Sequence, residues 1–136
     1  MADKEYEEIL KLGGVECAEL LEKPGFINLV YEDIYALLKD AKAVFKASGR
    51  ASGADKAEIA AKDAFRNLSS QINPEDIKSI IISMKTGSDF PLFEMNKAAE
   101  SIANSSPKGC ALIWGHVIDE DLDTDGGMIV TIIAAA

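Results

Sequence analysis

The sequence predicts an α/β sandwich, a mixed four-stranded sheet packed by helices and preceded by an N-terminal helix. Three observations point there. Helix-type and strand-type hydrophobic spacing alternate in the order helix, helix, strand, helix, strand, helix, strand, strand. One strand, "IKSIIISMK", is apolar without interruption, as expected where both faces of a sheet are covered. The last two strands, joined by an acidic connection, read as a closing hairpin, which makes the sheet mixed.

Residues 3–22 place Tyr6, Ile9, Leu10, Cys17, Leu20 and Leu21 at helical spacing, with Gly13–Gly14 as a weak point midway. Pro24–Gly25 stops this helix, because proline cannot continue the backbone bonding. A second helical face runs through Tyr31, Ile34, Tyr35, Leu38 and Ala41. "AKAVFKAS" is a short strand-like run, and "GRASGAD" is a loop by composition. Asp55 followed by Glu58 has the spacing of a capping box and opens a helix to about residue 70, whose buried face is Ala57, Ala61, Ala64, Phe65 and Leu68. Asn73–Pro74 marks a turn or a single helical turn before the apolar strand. "TGSD" turns the chain into a helix with the stripe Leu92, Met95, Ala98, Ala99, Ile102, ended by "SSPKG". The expected hairpin is "CALIWGHVI", an acidic tip, then "MIVTIIA". The organisation reads as one compact unit, with a helix over residues 1–23 leading into a domain over 24–136.

A chain of 136 residues can bury one proper core and not two comfortable ones. Its 48% apolar and 27% charged residues describe an ordinary globular domain. No run approaches the roughly 18 apolar residues of a membrane helix, and the charged start "MADKEYEEIL" leads us to expect no signal peptide. The Met1–Ala2 start fits an independently translated chain, although an excised domain can begin identically. The net charge of −9 repels nucleic-acid backbones and anionic lipid, so neither is expected as a partner. Cys17 and Cys110 match no metal or redox spacing and read as reduced cysteines of a cytoplasmic protein.

Three features invite chemistry. In "DEDLDTDGG", Asp121, Asp123, Asp125 and Gly126 fit the first six positions of a helix–loop–helix calcium loop. That loop also requires a bidentate Glu at its twelfth position and flanking helices; here the twelfth is Ile132 and the flanks read as strands. The segment therefore reads as a solvated hairpin tip, with Asp121, Asp123 and Asp125 as weak cation contacts. His116, the sole histidine, lies in a strand without a second ligand or a nucleophile nearby in sequence, and reads as structural. Trp114, on the same face of an ideal strand, packs. No glycine-rich phosphate loop is present, so no nucleotide or other cofactor is expected.

"PGFINLVYEDI", "ASGADKAEIAAKDA", "TGSDFPLFEMNKAAESI" and "WGHVIDEDLDTDGGMIVTIIA" occur in one order and spacing. Together they resemble the C-terminal half of the tubulin/FtsZ family, closer to FtsZ, over roughly Ala18 to Ala135. The residues before them resemble the end of the family's long central helix. The resemblance implies a tubulin/FtsZ C-terminal-domain-like fold. Full-length members bind GTP in an N-terminal Rossmann-like domain with a "GGGTGTG"-type loop, of which this sequence carries nothing. In the family, the loop after the central helix reaches the nucleotide of the neighbouring filament subunit, and its Asn and two acidic residues help to hydrolyse that GTP.

By this resemblance the family's Asn falls on Asn28, its second acid on Asp33 and its first acid on Val30. An aliphatic side chain can neither orient water nor hold a cation. Glu32 would project about 100° from Asp33 on a helix and does not simply restore the lost carboxylate. The interaction loop Asn28, Val30, Tyr31, Glu32, Asp33 thus resembles a docking element whose hydrolytic half is damaged. A plainer reading stays open, in which Asn28 forms a turn, Asp33 favours the positive helix end and Val30 packs. The function implied is a non-enzymatic FtsZ-like interaction module that caps or modulates filament assembly. Two alternatives remain: a stand-alone homo-oligomeric or small-molecule-binding module, and a trans-activator of a partner's GTP hydrolysis. The expected partner is an FtsZ/tubulin-like GTPase or a second copy of the chain.

Overall fold

The computed structural model describes residues 3–124 and 126–136. Helices α1 (Asp3–Gly13), α2 (Val15–Glu22) and α3 (Tyr31–Leu38) lead into strand β1 (Val44–Ala51). Helix α4 (Lys56–Ser69), β2 (Ser79–Thr86), α5 (Leu92–Ser105), β3 (Ala111–Ile118) and β4 (Met128–Ala135) complete the chain. The four strands form one mixed sheet in the order β1-β4-β2-β3, with β2 parallel to β3 and β4 antiparallel to both its neighbours. No helix among the described residues is long and apolar enough to cross a membrane.

Strand β2 explains why its sequence lacks alternation. Ile80, Ile82 and Met84 point into a core formed with the alanine face of α4 (Ala57, Ala60, Ala61, Ala64) and with Met95, Ala98 and Ile102 of α5. Ile81 points the other way, into a second core with Ile9, Cys17, Ala18, Leu20, Ile34 and Leu38 of α1–α3. Helices thus cover both faces, and every position from Ser79 to Met84 is buried. The first helical segment breaks at Gly14, whose φ of 89° is left-handed backbone.

Several expectations need correction. The closing hairpin does not form, because β2 lies between β3 and β4. The two most apolar strands take the sheet's interior, and residues 119–124 lead the chain past the end of β2 instead of turning tightly. Nor is that connection merely solvated. Leu122 is 2% exposed, Asp119 donates its N–H to the Thr86 carbonyl, and Asp123 accepts from Ser88 N–H at 2.7 Å. The capping box is absent: Asp55 has a left-handed φ of 58° and forms no side-chain cap, while Glu58 pairs with Lys62 at 2.8 Å. Strand β1 runs through Ala51 and absorbs the first three residues of the expected loop, Gly49, Arg50 and Ala51. Leu92, placed on the buried stripe of α5, is exposed at its first position.

If Leu122 anchors the crossover, Leu122→Ala should lower the unfolding free energy by about 2–5 kcal/mol, the usual range for emptying a buried leucine site. Urea denaturation measures it. A solvated tip would give a change within about 0.5 kcal/mol.

Candidate functional site

The candidate site is built on the segment between α2 and α3. Proline at position 24 has no N–H with which to extend α2, whose last bond runs from Lys23 N–H to the Glu19 carbonyl at 2.9 Å. The chain then straightens along the outer edge of β3. His116 N–H donates to the Ile27 carbonyl and Ile118 N–H to the Pro24 carbonyl, both at 2.8 Å. A Cβ on residue 25 would run into the His116 carbonyl oxygen, so glycine permits this close approach.

One side chain locks the segment. Phe26 N–H donates to His116 Nδ1 at 3.0 Å, and the two rings stack with centroids 5.1 Å apart. On its other side, His116 Nε2 lies 2.7 Å from Thr86 Oγ1, and Thr86 Oγ1 donates to the Gly87 carbonyl at 2.8 Å. These bonds admit one proton arrangement. Nδ1 accepts, so the neutral ring carries its hydrogen on Nε2; that hydrogen goes to Thr86, whose own hydroxyl proton goes to Gly87. The imidazole is 1% exposed, and burial pushes its pKa down to about 4.

The sequence-predicted residues lie on the surface of this segment and at the start of α3. Asn28 is exposed, and its amide donates to the Gly25 carbonyl at 3.3 Å, closing its own turn. Val30 is 54% exposed and is the N-cap of α3 without a side-chain bond to the helix. Tyr31 donates its hydroxyl to Glu8 Oε1 at 3.0 Å and stacks on Tyr35. Glu32 and Asp33 are exposed in the first turn of α3, where the helix's positive end favours carboxylates.

The other candidates resolve differently. Asp121 is exposed, Asp123 is committed to Ser88 N–H and its hydroxyl, and Asp125 lies outside the described residues. Among the described residues no group of three or more His, Cys, Asp or Glu side chains could hold a metal ion. A cleft of about 380 Å³ beside Asp119–Asp121 is lined by Glu19, Lys23 and Lys85. Within it Glu19 pairs with Lys85 at 2.9 Å and with Lys23 at 3.3 Å, and Asp119, Glu120 and Asp121 add further carboxylates. Both cysteines are free. Burial pushes the Cys17 thiol up to about 12, well away from reactivity. Sequence reasoning placed His116 in a structural role but missed its partners, Phe26 and Thr86, which lie 90 and 30 residues away.

The His116 pKa carries a signed consequence. Its ordinary value is 6.5 and its folded value about 4, so between these the unfolded chain takes up a proton that the folded chain refuses. This contribution is constant above pH 6.5 and is lost as pH falls towards 4. The total loss is on the order of 3 kcal/mol. Urea midpoints measured from pH 7 to 4 should show it, and His116→Asn, which does not titrate, should remove that part of the slope.

With this geometry in view, known proteins are informative. The sequence model of the FtsZ family's C-terminal domain matches residues 42–136. An empty FtsZ dimer from M. jannaschii superimposes with a TM-score of 0.82 at 20% identity, over 98% of this chain and 38% of the other. A point mutant of the same organism's FtsZ gives 0.79 at 19% identity, over 88% and 35%. The GDP-form TubZ protofilaments of Bacillus thuringiensis serovar israelensis give 0.59 at 11% identity, over 83% and 30%. This chain therefore spans well under half the length of these proteins, and at such identities the likeness concerns the fold. The sequence match over most of its length decides the rest: this chain belongs to the FtsZ family, as a C-terminal domain.

Proposed function

We propose that the chain is a non-enzymatic, cytoplasmic interaction module that docks through Asn28–Asp33 onto an FtsZ-type GTPase. Docking there would cap or modulate filament assembly. Head-to-tail growth needs two complementary surfaces on every subunit. A subunit with the docking segment but no nucleotide-bearing face would occupy a filament end and offer nothing to the next subunit. Among the solved neighbours are an FtsZ dimer and TubZ filaments, so assembly is a property of relatives.

The observation that carries this reading is Val30. Valine is among the poorest N-cap residues, it makes no cap bond here, and more than half of its surface faces solvent. Neither the helix nor the core gains from it, and an external apolar contact would give it a use. Where the resemblance places a carboxylate near a neighbour's nucleotide, this chain offers a methyl surface. That favours binding over hydrolysis.

A second reading has its own support. Leu10 on α1 and Val15 on α2 are 39% and 45% exposed, apolar side chains that a second copy could cover. A discrete dimer or trimer in light scattering would favour this homo-oligomeric module.

Co-sedimentation with an FtsZ from the same cell tests the proposal: unchanged polymer mass and GTP turnover at excess protein would remove it. Faster phosphate release that disappears in Asp33→Ala would instead indicate trans-activation. Val30→Asp separates stability from docking. It should stabilise the isolated protein by about 0.5–2 kcal/mol through capping, while weakening its capture by FtsZ polymers. Equal or tighter capture of the variant contradicts the role given to Val30.

A further inference from the structure

We infer that His116 is the positioning residue of the docking segment, tying Pro24–Asn28 to the β2–α5 corner so that both meet a partner as one surface. This rests on the docking reading above for its function, but not for its geometry. The chain of bonds runs from Phe26 N–H to Nδ1, from Nε2–H to Thr86 Oγ1, and from the Thr86 hydroxyl to the Gly87 carbonyl. The next residue, Ser88, donates both N–H and hydroxyl to Asp123 in the acidic crossover. Two segments far apart in sequence are therefore held by one largely buried path, and exposed bonds from Ser88 to Asp123 add the crossover beside it. Phe26 is 49% exposed, its ring held against the imidazole.

Few other side chains could take this position. It needs an acceptor towards Phe26 and a donor towards Thr86 on one rigid planar group, and a neutral imidazole supplies both. A second proton would go to Nδ1, leaving two N–H donors face to face and breaking the contact with Phe26. The surroundings keep that proton off. The groups that face the ring are Phe26 from the segment and Thr86 from β2, neither of them charged. The neighbouring charges are engaged elsewhere: Lys85 of β2 with Glu19 of α2, the Asp119 carboxylate with Asp121 N–H, and Asp123 with Ser88. Desolvation alone accounts for the depressed pKa. The latch therefore stays closed across the ordinary cellular range and acts as a fixed support.

The experiment has two arms. His116 is the sole histidine, so its ring nitrogens give unambiguous NMR signals. In the wild-type chain the proton should reside on Nε2, with a titration midpoint near the folded value of about 4, and the Phe26 amide should shift along the same curve. In His116→Ala the Phe26 amide should exchange at least ~10-fold faster relative to the amides of β2, whereas His116→Asn, whose oxygen can take the place of Nδ1, should recover most of the protection. A proton on Nδ1, a midpoint near 6.5, or unchanged Phe26 exchange in His116→Ala overturns the inference. The second arm is co-sedimentation with FtsZ polymers. Capture should weaken in His116→Ala and be largely recovered in His116→Asn; equal capture of wild type and His116→Ala rejects the positioning role. If even wild type is not captured, the docking reading fails, while the NMR arm still decides whether His116 holds the segment.

Discussion

Because β3 is the outer strand of the sheet, the N–H groups of His116 and Ile118 point away from β2 and need acceptors. The segment after α2 provides them, through the Ile27 and Pro24 carbonyls. An uncovered edge is an invitation to pair with another chain, and each bond contributes on the order of 1 kcal/mol net. The same covering fixes the candidate docking residues. Both ends of the segment are anchored: α2 through Glu19 and its pair with Lys85, and α3 through Ile34 and Leu38 in the second core. Its exposed side chains consequently stand on a backbone with little freedom. Edge protection and presentation are one structural act.

This explains which features were legible in the sequence. Local periodicity found the continuous apolar run of β2 and the alanine face of α4, because each signal is contained in neighbouring residues and burial follows directly. The mixed four-stranded sheet was also read, but from a closing hairpin; it is mixed because β4 runs antiparallel to β1 and β2 while β2 and β3 are parallel. Where the reading failed, the deciding partner was remote. The hairpin seemed natural from adjacency, yet β2 outcompetes β3 for β4 because it is apolar on both faces. Leu122 looked like one apolar residue in an acidic loop, and its burial depends on the crossover route. Asp55 and Glu58 have capping-box spacing, but the left-handed φ at Asp55 turns its side chain away from that role. His116 had no local signal for its partners at all.

The electrostatics narrow the chemistry further. The chain's net charge is −9, yet the inward-facing acid Glu19 is balanced by two lysines. Asp123, which looked like a cation contact, is an acceptor for a neighbouring turn. The acidic excess therefore lies on other, exposed side chains, where it contributes to long-range steering. Family membership does not reverse this conclusion. It carries the fold, whereas function resides in the particular side chains placed upon it.

Those side chains break a local rule in a telling place. Other described helix starts also lack a side-chain cap, two of them for a backbone reason. Gly14 and Asp55 adopt left-handed φ, whereas Pro91 is extended like Val30 and has no side-chain acceptor. Val30 has no such reason. Its φ of −105° and ψ of 156° are the extended values that any Ser, Asn or Asp cap would adopt. A capping residue would fit without strain, would satisfy an amide of α3 and would remove an exposed apolar surface. A capping residue would therefore suit the isolated fold better than valine. Departures of this kind are expected at functional or strained sites, and this one stands two residues from Asn28, on the segment that the edge of β3 holds in place.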